Sequence, residues 1–252
     1  MKSLCFIYFI IIFFSSPAYT AQNNLIHTRQ TEILSNLFDQ LMHRQLNSEM
    51  AIEKSVNALL KSYPEKIETV LQIAISKYPQ EYKQIMCGAL RAEPALATDV
   101  IDIILQSNIA SSEDIISFAV MEEPAYAKEI VNAAVSHDPL DIENIVRVAI
   151  ITEPLMAKHV VDATMQSYPE KVLDILVVAI QALPDQVVNI VRDTLRLSPD
   201  NTEVVSVAIN SSHSNKAREI VSTAIKSGIS QETATAAAIA GGAKEADLVK
   251  ID

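Results

Sequence analysis

The sequence predicts an all-α fold, an α-solenoid of stacked short helical hairpins, because two kinds of residue recur every fifteen positions. Nine of the ten prolines stand at this interval or at twice it: Pro64, Pro79, Pro94, Pro124, Pro139, Pro154, Pro169, Pro184 and Pro199. The seventh residue of each unit, counted from the proline position, is a β-branched aliphatic: Val70, Ile85, Val100, Ile115, Ile130, Ile145, Val160, Ile175, Ile190, Val205 and Ile220. Such regularity indicates one small unit copied along the chain.

Each unit is predicted to be one amphipathic helix. The fourth, eighth, eleventh and twelfth positions are mostly apolar or small, as in Ile142, Val146, Ala149 and Ile150. Together with the seventh position they lie on one stripe of an α-helix, whereas a strand would need strict alternation. Proline suits the first helical turn and stops the preceding helix, so a twelve-residue helix and a three-residue turn fit the unit.

A second period of thirty residues indicates that two unlike helices alternate. The segments 93–97, 123–127 and 153–157 all begin Glu-Pro and resemble each other more than the units between them. The intervening units carry a bulkier tenth residue, which we expect to be more enclosed: Phe118, Val148 and Val178. The repeat is therefore a helical hairpin, and stacked hairpins form a solenoid in which each repeat contacts its neighbours.

Residues 1–20 are predicted to be a signal peptide. Lys2 precedes an eleven-residue apolar run at 4–14, and small residues follow it. The run is shorter than the roughly 20 residues that a spanning helix needs. Export to the periplasm or the extracellular space is therefore expected, with no membrane span in the mature chain.

The rest of the chain divides into three predicted parts. Residues 21–48 form an N-terminal segment and capping helix, residues 49–243 the repeat domain and residues 244–252 a polar tail. The capping helix carries an apolar stripe of Ile33, Leu34, Leu37, Phe38 and Leu41. The first, proline-less unit at 49–63 carries Ile52, Val56, Leu59 and Leu60.

Three irregularities are expected inside the repeat domain. Residues 109–112 lack a proline, and Ser111 or Ser112 is expected to cap the helix that follows. Around Thr202 the pattern slips by one residue. Gly228 is expected to end the last regular helix, before an alanine-rich terminal helix at 233–240.

The architecture resembles tetratricopeptide and HEAT arrays over roughly residues 49–240, although the unit is shorter and lacks their signature residues. The chain is more similar to exported bacterial helical-repeat proteins of uncharacterised function. Those proteins are built from proline-led segments that end in sequences like Ala-Ala-Ile, and a Gly-Gly-Ala sequence follows the last segment. The matching strings lie at 133–135, 148–150, 178–180, 223–225 and 241–243. The resemblance implies neither an activity nor a catalytic residue.

Composition excludes several functions. The net charge of −11 argues against nucleic acid, and the four glycines form no phosphate-binding loop, so no cofactor is expected. The histidines have no HExxH or CxxC companions, and neither a metal site nor an enzyme is expected. Cys5 lies in the signal peptide, which leaves Cys87 either buried and inert or available for an intermolecular disulfide.

The middle of the chain is strongly acidic. Residues 92–190 contain sixteen acidic and four basic residues, a net charge of −12. In one helix class the sixth and ninth positions are polar and share a face: Asp99 with Asp102, Glu129 with Asn132, His159 with Asp162, and Asn189 with Arg192. The first three pairs are the candidate binding residues for a basic protein partner. The simpler interpretation is that these side chains only keep the surface soluble.

Three function classes follow, in order of preference. The first is an exported protein-interaction or scaffold module. The second is a carrier of an apolar small molecule or lipid in a groove between helix layers, for which the abundant Ile, Val and Ala argue. The third is a hydrolase whose catalytic groups converge only in the fold.

Overall fold

The structure, a computed structural model, describes residues 17–45, 50–212 and 214–248, which form helices and turns without a strand. Most of the predicted signal peptide, residues 1–16, lies outside these ranges. The α-helices of the described ranges are α1 (Pro17–Arg44), α2 (Ala51–Ser62), α3 (Ile67–Lys77), α4 (Tyr82–Ala92), α5 (Ala97–Gln106), α6 (Ser112–Glu122), α7 (Ala127–His137), α8 (Ile142–Thr152), α9 (Ala157–Ser167), α10 (Val172–Ala182), α11 (Val187–Leu197), α12 (Glu203–Ser211), α13 (Ala217–Lys226), α14 (Gln231–Ala240) and α15 (Glu245–Leu248).

The repeating unit is a three-residue 3₁₀ turn, an eleven-residue α-helix and one linking residue. The prediction of a twelve-residue helix with a separate turn is therefore wrong in detail, because proline begins a 3₁₀ turn and the α-helix starts at the fourth position. The 3₁₀ turns are Pro64–Lys66, Pro79–Glu81, Pro94–Leu96, Pro124–Tyr126, Pro139–Asp141, Pro154–Met156, Pro169–Lys171, Pro184–Gln186 and Ser214–Lys216.

The linking residue joins two helices with little loss of hydrogen bonding. Tyr63, with φ −141° and ψ 63°, is held out of the helical region by the ring of Pro64. Its N–H still donates to the carbonyl of Leu59 at 2.8 Å, and its own carbonyl accepts from the N–H of Lys66 at 3.0 Å. One residue thus ends a helix and begins the next.

The helix caps confirm two of the expected irregularities. Ser111 Oγ accepts from the N–H of Asp114 at 3.1 Å and replaces proline at the start of α6. Gly228, at φ 108°, follows α13, where the N–H of Ile229 donates to the carbonyl of Ala224 at 3.1 Å. A positive φ favours glycine, so Gly228 ends this helix as expected.

Alternate helices stack into two layers. Layer A contains α2, α4, α6, α8, α10, α12 and α14, and layer B contains α3, α5, α7, α9, α11 and α13. Helix α1 packs on α2 and α3 at one end, and α15 packs on α13 at the other. The thirty-residue hairpin is therefore one helix from each layer, which confirms the predicted solenoid-like repeat.

The core lies between the layers. All eleven seventh-position residues are buried, and one continuous buried cluster runs from Leu34 to Leu248. Among the residues of α1 from Thr28 onward, Leu34 and Phe38 are buried, whereas Ile33 is 53% exposed. Including Ile33 in the stripe was wrong, because it lies on the face of α1 turned away from α2 and α3. Leu248 shows that the predicted polar tail also contributes to the core.

The expected enclosure of the tenth position holds only in part. Val148 and Val178 of layer A are buried, but Phe118 is half-buried, with the ammonium of Lys83 5.6 Å from its ring centre. In layer B, Ala133 and Thr223 are buried at the same position. Whether the tenth residue is buried therefore depends on the neighbouring side chains as well as on the size of its own side chain.

Helices α2 and α4 approach each other closely at Gly88. A Cβ atom on Gly88 would lie 2.5 Å from the carbonyl oxygen of Glu53 and 3.0 Å from Cβ of Val56. The side chain of Asn57 donates to the carbonyl of Gly88 at 3.2 Å. The two backbones therefore touch where other units carry a side chain.

Among the described residues, no single helix is long and apolar enough to cross a bilayer. One pair of segments, Pro169–Ala182 and Pro184–Leu197, meets the length and composition test together but is bent by 115° at its break.

Candidate functional site

The candidate binding residues lie on the outer face of layer B. The sixth and ninth positions of a unit point away from the buried seventh position, and all six side chains are exposed or half-buried. Because α5, α7 and α9 are neighbours in the layer, their polar pairs form one surface that continues onto α11. We name this surface the layer-B strip, which contains Asp99, Asp102, Glu129, Asn132, His159, Asp162, Asn189 and Arg192.

The α5 end of the strip carries two acidic groups close together. Burial, and then the charge of Asp99, raises the pKa of the half-buried Asp102, while the nearby His137 acts in the opposite direction. Helix α5 contains no Lys or Arg. This end of the strip therefore keeps negative charge that a cation from outside could compensate.

The α7 section of the strip has an unused hydrogen-bond acceptor. Asn132 Oδ1 is buried and has no hydrogen-bond partner within the part of the chain that the structure describes. Glu129 is half-buried one helical turn away. A buried acceptor without a partner costs about 1–3 kcal/mol, and because this atom is buried an outside donor can reach it only if the side chain turns outward.

Asp162, on α9, is partly neutralised within the fold. The ammonium of Lys158 lies 2.8 Å from an oxygen of Asp162 and 2.5 Å from one of Asp193 on α11. Hydrogen bonds to Asp162 and then to Asp193 raise the pKa of Lys158. The sequence pattern did not predict that Lys158 would link α9 to α11 through these two ion pairs. His159 is exposed beside it.

A groove of about 300 Å³ lies between α9 and α11 at this end of the strip. Asp162, Asn189 and Arg192 line it together with Lys158 and Asp193, and Arg192 donates to Asn189 Oδ1 at 3.0 Å. Its apolar lining includes Val161 and Ile190. The sequence signal that could have indicated this groove is Asp193, a charged residue at the tenth position, where most units carry an aliphatic side chain.

A second polar cluster lies on layer A and has a structural role. Arg91 on α4 pairs with Glu53 on α2 at 2.8 Å and with Glu122 on α6 at 2.9 Å. Cys87 donates to Glu122 at 3.4 Å, and burial followed by the charges of Glu122 and Glu53 raises the pKa of its thiol to about 12. The thiol is buried and protonated at neutral pH, which favours the inert interpretation of Cys87 over an intermolecular disulfide.

No three His, Cys, Asp or Glu side chains of the described ranges lie close enough together to hold a metal ion.

Comparison of the chain with protein-family models, with curated proteins and with solved structures finds no match. The outer faces of the two layers are therefore the features of the molecule from which a function can be inferred.

Proposed function

We propose that the chain is an exported bacterial protein-interaction or scaffold module that binds a basic protein through the layer-B strip. One observation carries the proposal: three neighbouring helices present polar side chains at the same two positions, and the first of them, α5, carries two carboxylates and no Lys or Arg. Repeat arrays offer extended surfaces of this kind to their partners. Export is supported by the pattern of residues 1–20 and by the resemblance to exported helical-repeat proteins.

The charge of the strip favours a cationic partner. The strip carries four carboxylates and one cation, Arg192. A surface of net negative charge raises the rate of encounter with a cationic partner, and the effect falls as salt screens it. A partner with Lys or Arg side chains along an extended segment would match this charge.

The carrier and the hydrolase remain alternatives. The groove between α9 and α11 favours the carrier in that Val161 and Ile190 line it, but Lys158, Asp162 and Asp193 line it too. Buried aliphatic side chains of both layers occupy the interlayer region in which the carrier was expected to hold its ligand. The layer-B strip takes in more of the outer surface than the groove between α9 and α11 does, and we therefore prefer the interaction module to the carrier.

Neutralising the strip should slow partner association. In a variant with Asp99→Asn, Asp102→Asn, Glu129→Gln and Asp162→Asn, we expect the association rate with a partner recovered from the exported fraction to fall about tenfold at low salt. The dissociation rate should change less, because long-range attraction acts mainly on encounter. Stopped-flow kinetics at low and high ionic strength measures both rates.

A matched control removes the same number of charges elsewhere. Glu65→Gln, Glu68→Gln, Asp200→Asn and Glu232→Gln lie on exposed sites outside α5 to α11 and should leave the association rate near that of the wild type. If both variants bind at the wild-type rate, or if binding does not depend on salt, the strip is not the binding surface. Aggregation of the strip variant with unchanged kinetics would support the simpler role in solubility.

A further inference from the structure

The outer faces of the two layers differ in chemistry. At the ninth and thirteenth positions, layer B carries only polar side chains in α5, α7 and α9: Asp102, Gln106, Asn132, Ser136, Asp162 and Gln166. In layer A the corresponding positions of α6, α8 and α10 include Met121, Ile151 and Val177. Met121 is 57% exposed and Ile151 is 55% exposed. We name these three aliphatic residues the layer-A patch.

The patch adjoins an acidic groove. A cavity of about 340 Å³ lies between α6 and α8, and Glu113 and Asp114 line it together with Ile151. The side chain of Glu113 is 58% exposed, and Arg147 lies 3.9 Å away from it. An apolar contact and carboxylates thus lie within one groove.

The helices that carry the patch contain few cations. Arg147 is the one Lys or Arg in α6, α8 and α10, and it also donates to Asn144. The same three helices contain five carboxylates: Glu113, Asp114, Glu122, Glu143 and Asp174. Cations next to these helices pair with two of the carboxylates: Arg91 with Glu122 at 2.9 Å and Lys171 with Asp174 at 3.0 Å. Arg147, 3.9 Å from Glu113, is left to balance Glu113, Asp114 and Glu143.

From these observations we propose that the layer-A patch is a second docking surface, for a segment of another protein that carries Lys or Arg next to aliphatic side chains. The aliphatic side chains would cover Met121 and Ile151, and the cation would lie against Glu113. The surface is on the opposite side of the solenoid from the layer-B strip, so this goes beyond the function proposed above. Two such faces would allow the module to hold two partners at once.

Charge selects this occupant over the other candidates. A second copy of the chain on the same face would bring Glu113 and Asp114 against their own equivalents, and like charges repel. An anionic membrane surface would be repelled in the same way. A basic amphipathic segment satisfies the aliphatic and the acidic parts of the groove together.

The test uses a synthetic amphipathic peptide of leucine and lysine, with the full-length protein labelled at its Met and Ile methyl groups. We expect the peptide to shift the methyl signals of Met121 and Ile151 in nuclear magnetic resonance spectra. The double variant Met121→Ser with Ile151→Ser should weaken binding about tenfold, because buried apolar area is lost. A control variant, Leu140→Ser, removes an aliphatic side chain that is 95% exposed in a turn and should bind as the wild type does.

Two further arms separate this proposal from the layer-B strip. Glu113→Gln should weaken the binding that shifts the Met121 and Ile151 methyl signals, whereas Asp99→Asn with Asp102→Asn should leave those shifts unchanged. A peptide with glutamate in place of lysine should not bind. Unchanged affinity in the Met121→Ser, Ile151→Ser variant would overturn the layer-A site without touching the strip. Methyl shifts confined to layer B would also overturn the layer-A site. So would a dimer of the protein, detected by sedimentation, that the Met121→Ser, Ile151→Ser variant no longer forms.

Discussion

Replacing Ile145 with Asp should lower the free energy of unfolding by about 4 kcal/mol or more. Ile145 is 1% exposed, at the seventh position of α8, between the two layers. Losing the buried aliphatic side chain costs about 2–3 kcal/mol, and burying a carboxylate without a partner adds several more. Urea denaturation followed by circular dichroism measures the change.

The control for this prediction lies in the same helix. Ile151→Asp makes the identical chemical change at a side chain that is 55% exposed, and it should cost less than about 1 kcal/mol. The neighbouring strip variant Asp162→Asn should also have a small effect, because an exposed ion pair contributes little. Comparable losses at Ile145 and Ile151 would contradict the helix register described here.

Replacing Gly88 with Ala should destabilise the protein by about 2–3 kcal/mol. Helix propensity alone predicts the opposite, because Ala is better than Gly inside a helix by about 1 kcal/mol. The added Cβ atom, however, would lie 2.5 Å from the carbonyl oxygen of Glu53, and that atom belongs to the backbone of α2. Helices α2 and α4 must therefore separate, which also disturbs the ion pair between Arg91 and Glu53.

The matched control reverses the substitution at the same repeat position. Ala163 is the tenth residue of its unit on α9 and is half-buried. Ala163→Gly should cost about 1 kcal/mol, as propensity predicts. If Gly88→Ala raises the thermal unfolding midpoint, the close approach of α2 and α4 is wrong.

The fold was predictable because two signals fix one register. Proline sets where each unit begins, and the β-branched residue at position seven sets which face is buried, as Ile145 and Ile175 show. The 3₁₀ turn was not predictable, because positions four, seven and eight point inward whether the α-helix starts at the first or the fourth residue. The contact at Gly88 depends on the distance between α2 and α4, which the pattern of either helix leaves open.

The candidate site was predictable in position but not in detail. Spacing alone placed Asp99 and Asp102 on an outer face, because the sixth and ninth positions are defined by the buried seventh. The bridge from Lys158 to Asp193 spans two helices thirty residues apart in the repeat, and its 2.5 Å contact arises only from their packing. The layer-A patch needed the structure as well, since an aliphatic residue at position thirteen could equally have been buried.

Site-specific photo-crosslinking in the native compartment tests most directly whether the layer-B strip binds a protein. A benzophenone side chain is placed at Gln106 and, separately, at Gln166. These two exposed positions lie next to the strip, at the C-terminal ends of α5 and α9. The predicted result is the same discrete protein adduct from both sites, reduced at high salt and different from any product obtained at Leu140. No protein adduct from either site, or the same adducts from Leu140, would contradict the proposed function.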